Sequence, residues 1–195
     1  MRKVTSIWEK PSTHGEILKN IWKQLDLAVI DRKHPLHTPV FATESNGEAN
    51  LRVVVLRRFW RKPARLAFHS HLGSPKIAEI EKNPNVSWLF YSFEQKLQLR
   101  IKATAEIHNS DELFLEQWKA THPFSRRCYM GEPPTAISKK ATSGMPEHII
   151  DREPTPEESE IGQQNFVVIS SKINSIDCLE LDFLGNRRSL FVWNE

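Results

Sequence analysis

Residues 96–107, KLQLRIKATAEI, alternate apolar and polar side chains without a break. Leu97, Leu99, Ile101 and Ala103 fall on one parity, Gln98, Arg100, Lys102 and Thr104 on the other. A period of two sustained this long demands a strand with one face on a core and the other in water. Once that strand is granted, its neighbours follow. NVSWLFYSF (85–93) is β-branched and aromatic and reads as its partner. Upstream, PVFATE (39–44) and LRVVVLRRFW (51–60) read as two strands joined at Asn46-Gly47, a dipeptide that tolerates positive φ at both positions. ARLAFHS (64–70) reads as a third strand after the Arg61-Lys62-Pro63 turn, and the run suggests a meander.

Helical periodicity appears at fewer places. From 15 to 33 the apolar residues Ile17, Leu18, Ile21, Trp22, Leu25, Ala28 and Val29 form one stripe, with Ser12 or Thr13 as cap and Pro35 marking the exit. Ser74-Pro75-Lys76 opens a short helix: serine caps, and proline suits the first helical position. Ile77, Ala78 and Ile80 are expected to face the sheet, with Glu79, Glu81 and Lys82 in water, and capping accounts for Ser74. Ser110-Asp111 begins another helix carrying Leu113, Phe114 and Trp118. The stretch 123–162 is rich in Pro, Ser, Gly and charge, which predicts a functional loop or partial disorder. QNFVVISS (164–171), SIDCLELDF (175–183) and RRSLFVW (187–193) supply three closing strands. The fold class is therefore mainly β: one antiparallel β-barrel, closed or nearly so, with peripheral helices, spanning 1–195 as a single domain.

Charge excludes little. Twenty-seven basic against 24 acidic residues leave +3, too near balance to predict a nucleic-acid partner. No apolar run is long enough for a membrane span, and no apolar segment follows the basic amino-terminal residues, so neither membrane nor secretion is expected. Cys128 and Cys178 are far apart with no metal spacing and read as reduced thiols of a cytoplasmic protein. No metal site is expected.

Polar residues nevertheless stand where a plain barrel would not need them. Arg52 heads an apolar strand, His69-Ser70 ends the next, and Lys76 lies in the first turn of the following helix. Gln98 and Arg100 share one strand face. A phosphate monoester needs such donors on rigid elements: a guanidinium fork, an ammonium point charge, a hydroxyl and helix-terminal amides. Each residue alone can equally be a solvated surface side chain.

The order RVVVLR, RLAFHS, SPK, NPNVSWLFYSF, LQLRIKA between residues 50 and 107 resembles the pyridoxamine 5′-phosphate oxidase superfamily of FMN-binding split β-barrels. The resemblance implies that Arg52 and Lys76 bind the phosphate of flavin mononucleotide (FMN), with Ser70 supplying a hydroxyl. It implies that Val53, Val54 and Val55 line the flavin with backbone groups. Arg57 takes the place of a family lysine near the ring, and His69 that of an aromatic residue. Gln98 would hydrogen-bond FMN from an adjoining strand or across a dimer interface, Arg100 matches an arginine of the same strand, and Arg187 or Arg188 would assist. The resemblance also implies a homodimer with FMN at the interface.

Departures narrow the function. Pro75 replaces a usual basic residue, and Trp118, His122 and Arg126 poorly match the set with which the oxidase holds its substrate phosphate. The carboxyl-terminal LELDFLGNRRSLFVW lacks the oxidase's substrate motif. Trp118, Arg126 or Arg127, MGEPPTA (130–136), IDCLEL (176–181) and Asn186-Arg187-Arg188 resemble a branch whose substrate is undefined. The expectation is an FMN-dependent oxidoreductase acting on an unidentified small molecule. The alternatives are a genuine pyridoxamine 5′-phosphate oxidase, or a non-catalytic flavin- or haem-binding protein. Nucleic-acid binding through Arg57, Arg58, Trp60 and Arg61 is not expected.

Overall fold

The computed structural model describes residues 13–193 apart from 138, 140 and 141. Helix α1 (His14–Ile30) starts at a capping box, Thr13 and Glu16 each accepting from the other's amide, at 3.3 and 2.8 Å. Ser12, the alternative cap, lies outside the described residues. The helix stops before residue 33: the Asp31 carboxylate accepts from the Lys33 amide at 2.9 Å and turns the chain. Its stripe buries Ile21, Leu25 and Ala28, and Trp22 lies against Phe59 and Trp193.

Eight antiparallel strands are described: β1 (Val40–Ser45), β2 (Glu48–Val53), β3 (Arg58–Arg61), β4 (Ala64–His71), β5 (Asn85–Ser92), β6 (Leu97–His108), β7 (Phe166–Glu180) and β8 (Arg187–Val192). Their order is β2-β1-β5-β6-β7-β4-β3, with β8 also on β7. The expected meander is not formed. Two hairpins, β1–β2 and β3–β4, stand at opposite ends of the order, and residues 54–57 link them. That link splits the single strand expected over 51–60. The amides of Val54 and Leu56 donate to the carbonyls of Pro39 and His37 at 3.0 and 2.9 Å, and the Arg57 amide donates to Ala67 at 2.9 Å. The chain thus leaves the β1 side for β4 within four residues, and the sheet stays open at the split. The fold is an antiparallel split β-barrel with peripheral helices.

The strands expected over 164–171 and 175–183 merge into one, because β7 passes the register shift at Lys102/Ala103 of β6 by bulging at Asn174. One extra residue breaks the side-chain period without ending the ladder. The Asn46-Gly47 turn forms as expected, at φ 54° and 83°.

Two cores result. The inner face of the sheet packs with α1 and α2 (Pro75–Lys82) around Phe41, Phe68, Trp88 and Phe90. On the other face of β4 and β7, α3 (Glu112–Ala120) contributes Phe114 and Trp118 to a cluster with Ala67, Tyr129, Phe166 and Val168. Over 123–162 the expected irregular segment contains α4 (Pro123–Arg126), α5 (Pro156–Ser159) and short 3₁₀ turns.

Candidate functional site

Pairing fixes which side chains meet. In an antiparallel ladder, directly opposed residues share a face. Arg52 opposes Phe41, which opposes Trp88, and both aromatics are buried. Arg52 therefore points into the barrel, as does Ser70, two residues beyond the buried Phe68 on β4. Helix α2 covers this end and brings Lys76 to both. Lys76 Nζ donates to Ser70 Oγ at 3.1 Å and to Ser74 Oγ. Ser74 has N-cap backbone geometry, but its hydroxyl makes no capping bond; it serves the ammonium group instead. Capping alone does not account for that serine.

Burial pushes the Lys76 ammonium below its ordinary range; the Arg52 charge adds to this and Glu79 opposes it. Two cations thus face one another at the amino terminus of α2, a juxtaposition that an anion would relieve. Glu79 was expected in water. Its side chain is 12% exposed and bridges to Arg52 at 2.9 Å. Ala78, expected on the sheet, is exposed.

Beside this seat runs the 54–57 link. Its successive amides face opposite edges, as in any extended chain. Val54 and Leu56 address residues 37–39, so the Val55 amide faces the split, and among the described residues no backbone carbonyl accepts from it. Val54 is buried, whereas the Val53 side chain turns outward.

Arg57 and His69 lie together behind the link. His69 packs edge-on against Phe166, with a ring nitrogen 3.3 Å from Gln117 Oε1. Burial, with help from the Arg57 charge and against the Gln117 bond, lowers its pKa to about 4. Unfolded, the same imidazole would titrate near the ordinary value of about 6.5. Between those values the unfolded chain holds the extra proton, so stability is full above pH 6.5 and falls as pH drops toward 4. The loss is on the order of 3 kcal/mol. His69→Phe should remove that component, read as urea unfolding energies at pH 7, 5.5 and 4.5. Parallel pH profiles for wild type and variant would show that His69 is not held neutral.

Gln98, Arg100 and Arg187 are not brought to the seat. Gln98 opposes Tyr91 and Arg100 opposes Leu89, all on the outer face. Arg100 and Arg188 converge on Asp177, and Arg187 pairs with Glu180. The two arginines hold the Asp177 carboxyl below the usual carboxylate range, Arg188 contributing most.

The arginines after α3 are committed elsewhere. Arg126 is buried, stacks on Trp118 at 4.4 Å, pairs with Glu160 and donates to the carbonyls of Thr121 and Trp118 at 2.9 and 3.0 Å. Arg127 donates to the carbonyls of Ile149 and Ile150 at 2.9 and 2.6 Å. Both staple the 123–162 segment. Cys178 is buried, its thiol pushed up to about 12 by burial and then by Glu180 and Asp177. Among the described residues no cluster of His, Cys, Asp or Glu could hold a metal ion, and no helix is long and apolar enough to cross a membrane. Sequence reasoning missed Glu79, Thr43, Asn50 and Gln117 as neighbours of the site. The polar parity of β2, Glu48, Asn50 and Arg52, facing Thr43 and Ser45 of β1, was an available signal for Asn50 and Thr43, whereas Glu79 and Gln117 sit on helices and carried none.

Solved structures with the same fold include a pyridoxamine 5′-phosphate oxidase-related, FMN binding protein from Nostoc punctiforme, with a TM-score of 0.74 at 20% identity over 91% of each chain. PhzG from Burkholderia lata, solved with tetrahydrophenazine-1-carboxylic acid, has a TM-score of 0.57 at 15% identity over 94% of each chain. A putative pyridoxamine 5′-phosphate oxidase from Listeria innocua has a TM-score of 0.52 at 14% identity, over 85% of this chain and 99% of its own. No curated protein sequence matches. The sequence profile described as pyridoxamine 5′-phosphate oxidase matches residues 33–149, more than half of the chain, and with the split barrel it establishes that this chain belongs to the pyridoxamine 5′-phosphate oxidase family.

Proposed function

We propose that this chain binds FMN, as a homodimer that completes each site from both copies, and acts as an oxidoreductase on a small organic molecule. The observation that carries the reading is the convergence of Arg52, Ser70 and Lys76 at the start of α2. The residues present fit a phosphate monoester. One ammonium proton of Lys76 is left after its two serine bonds, and the Nε–H edge of Arg52 has no acceptor among the described residues. The Val55 amide at the split fits a polar ring edge. FMN, when bound, supplies two-electron redox chemistry. The chain's own part is to hold the phosphate, to align the ring along residues 53–55, and to set a cation, Arg57, beside a neutral His69.

A second copy is supported by parity. Arg52 points inward and Gln98 outward, so one chain does not present both to one ligand. The outer face carries exposed apolar residues: Leu51 and Val53 of β2 are 64% and 67% exposed, and Leu89 and Tyr91 of β5 are exposed across the intervening β1. Such a patch, running from β2 across β1 to β5, suits an interface between copies. The commitment of Arg126 to Trp118, Thr121 and Glu160 argues against its gripping a substrate phosphate, which favours an oxidoreductase with another substrate over the oxidase proper.

Titrating the purified protein with FMN, read by quenching of flavin fluorescence, should give one site per chain, and sedimentation should give a dimer. Leu51→Glu should shift the protein to monomer and weaken FMN at least tenfold. No flavin binding would sink the reading, and a stable wild-type monomer that binds FMN would remove its two-copy component.

A further inference from the structure

We infer that Glu79 is a positioning residue for Arg52, fixing the guanidinium so that its Nε–Nη2 edge is the one offered to the phosphate. The inference rests on the phosphate seat proposed above. Glu79 lies three residues after Lys76 on α2, hence on the same side of the helix. Its carboxylate is held from several directions: Asn50 Nδ2 donates at 3.1 Å, the Thr43 hydroxyl donates, and Arg52 Nη2 donates at 2.9 Å. Arg52 Nη1 is taken by Thr43 Oγ1 and, at 2.8 Å, by the Asn50 carbonyl. The end of the guanidinium is thus clamped between β1, β2 and α2. What remains is the side edge, Nε–H with the second Nη2 hydrogen, and a planar fork of that kind matches two phosphate oxygens.

Lys76 on the same helix is held differently. Its nitrogen rests on two serine hydroxyls, not on the Glu79 carboxylate, so its charge is not neutralised by a direct partner. Glu79 therefore acts on the seat in two opposed ways. It immobilises Arg52, which favours the phosphate, and it adds a negative charge nearby, which disfavours it. Substitution separates the two. Glutamine retains an acceptor for Arg52 and, with Asn50 turned over, every hydrogen bond of the clamp, while removing the charge. Alanine removes both.

FMN and riboflavin, which lacks the phosphate, are the probes, read by flavin fluorescence quenching. Glu79→Ala should weaken FMN about tenfold and leave riboflavin within about twofold. Glu79→Gln should bind FMN as tightly as wild type or severalfold more tightly, with riboflavin again unchanged. In an Arg52→Ala background, Glu79→Ala should cost FMN nothing further, because the group it positions is gone. Equal weakening of FMN and riboflavin by Glu79→Ala would make the residue a mere tether of α2 and overturn the inference. So would unchanged FMN affinity in Glu79→Ala, or a full tenfold loss in Glu79→Gln. Those failures are distinguishable from failure of the seat itself, in which Arg52→Ala and Lys76→Ala would already leave FMN affinity unchanged.

Discussion

Replacing Arg52 and Lys76 together by alanine is expected to weaken FMN binding by roughly a hundred- to a thousand-fold, with riboflavin affected by less than about threefold. A hydrogen bond to a charged group is worth about 1.5–3 kcal/mol, so each single variant should lose roughly ten- to a hundred-fold. The double variant should lose less than the product. In the proposed site both cations address one phosphate, and groups that share a partner do not add. Folding should survive the change. Lys76 is a desolvated ammonium whose removal relieves a burial cost, and Arg52 retains partial solvent access at 23% exposure. Salt should weaken wild-type binding more than that of the double variant, because screening acts on the charges removed. FMN affinity within threefold of wild type in the double variant would mean that the phosphate sits elsewhere.

What the sequence made legible follows from how locally each signal is encoded. β5 and β6 alternate buried and exposed residues along almost their whole length, as their composition predicts. β2 does the opposite of what LRVVV suggests. Its polar Asn50 and Arg52 turn toward the barrel, while Leu51 and Val53 face outward. Hydrophobicity alone reads such a strand as core, since it cannot know that the inward face receives a helix bearing a carboxylate and that the apolar outward face is left exposed. This inversion coincides with the candidate site, where local preference and structure are expected to disagree. Glu79 was hidden for a similar reason: three residues after a lysine on a short helix, an acid reads as a solvated side chain. Only the approach of β2, 27 residues earlier in the chain, makes it a half-buried ion-pair partner of Arg52. Strand order was likewise not legible, because the split depends on a four-residue link whose amides find carbonyls on two different sides.

The largest expected effect on stability falls on a residue that touches no proposed ligand. Phe68 is 1% exposed, and its ring lies 4.7 Å from that of Phe41 and 5.5 Å from that of Trp88, which are themselves 5.1 Å apart. This triangle joins β4 to β1 and β5, strands from opposite sides of the split, where no ladder bonds β4 to either. Truncating Phe68 to alanine should cost about 3–5 kcal/mol, from lost transfer energy and from a cavity that three strands cannot close together. Against a total stability of about 5–15 kcal/mol that is a large fraction, and it should lower the melting temperature by roughly 6–20 °C. Phe68→Leu, which keeps most of the volume, should cost well under half as much. Ser70 lies two residues further along the same face and accepts from Lys76, so loosening β4 should also loosen the seat. Phe68→Ala at a temperature where it remains folded should therefore bind FMN more weakly, by a few-fold and far less than the loss of Arg52 and Lys76. If calorimetry gave Phe68→Ala and Phe68→Leu the same small penalty, the aromatic triangle would not be what holds the two halves of the split barrel together, and the geometry at Ser70 would need another support.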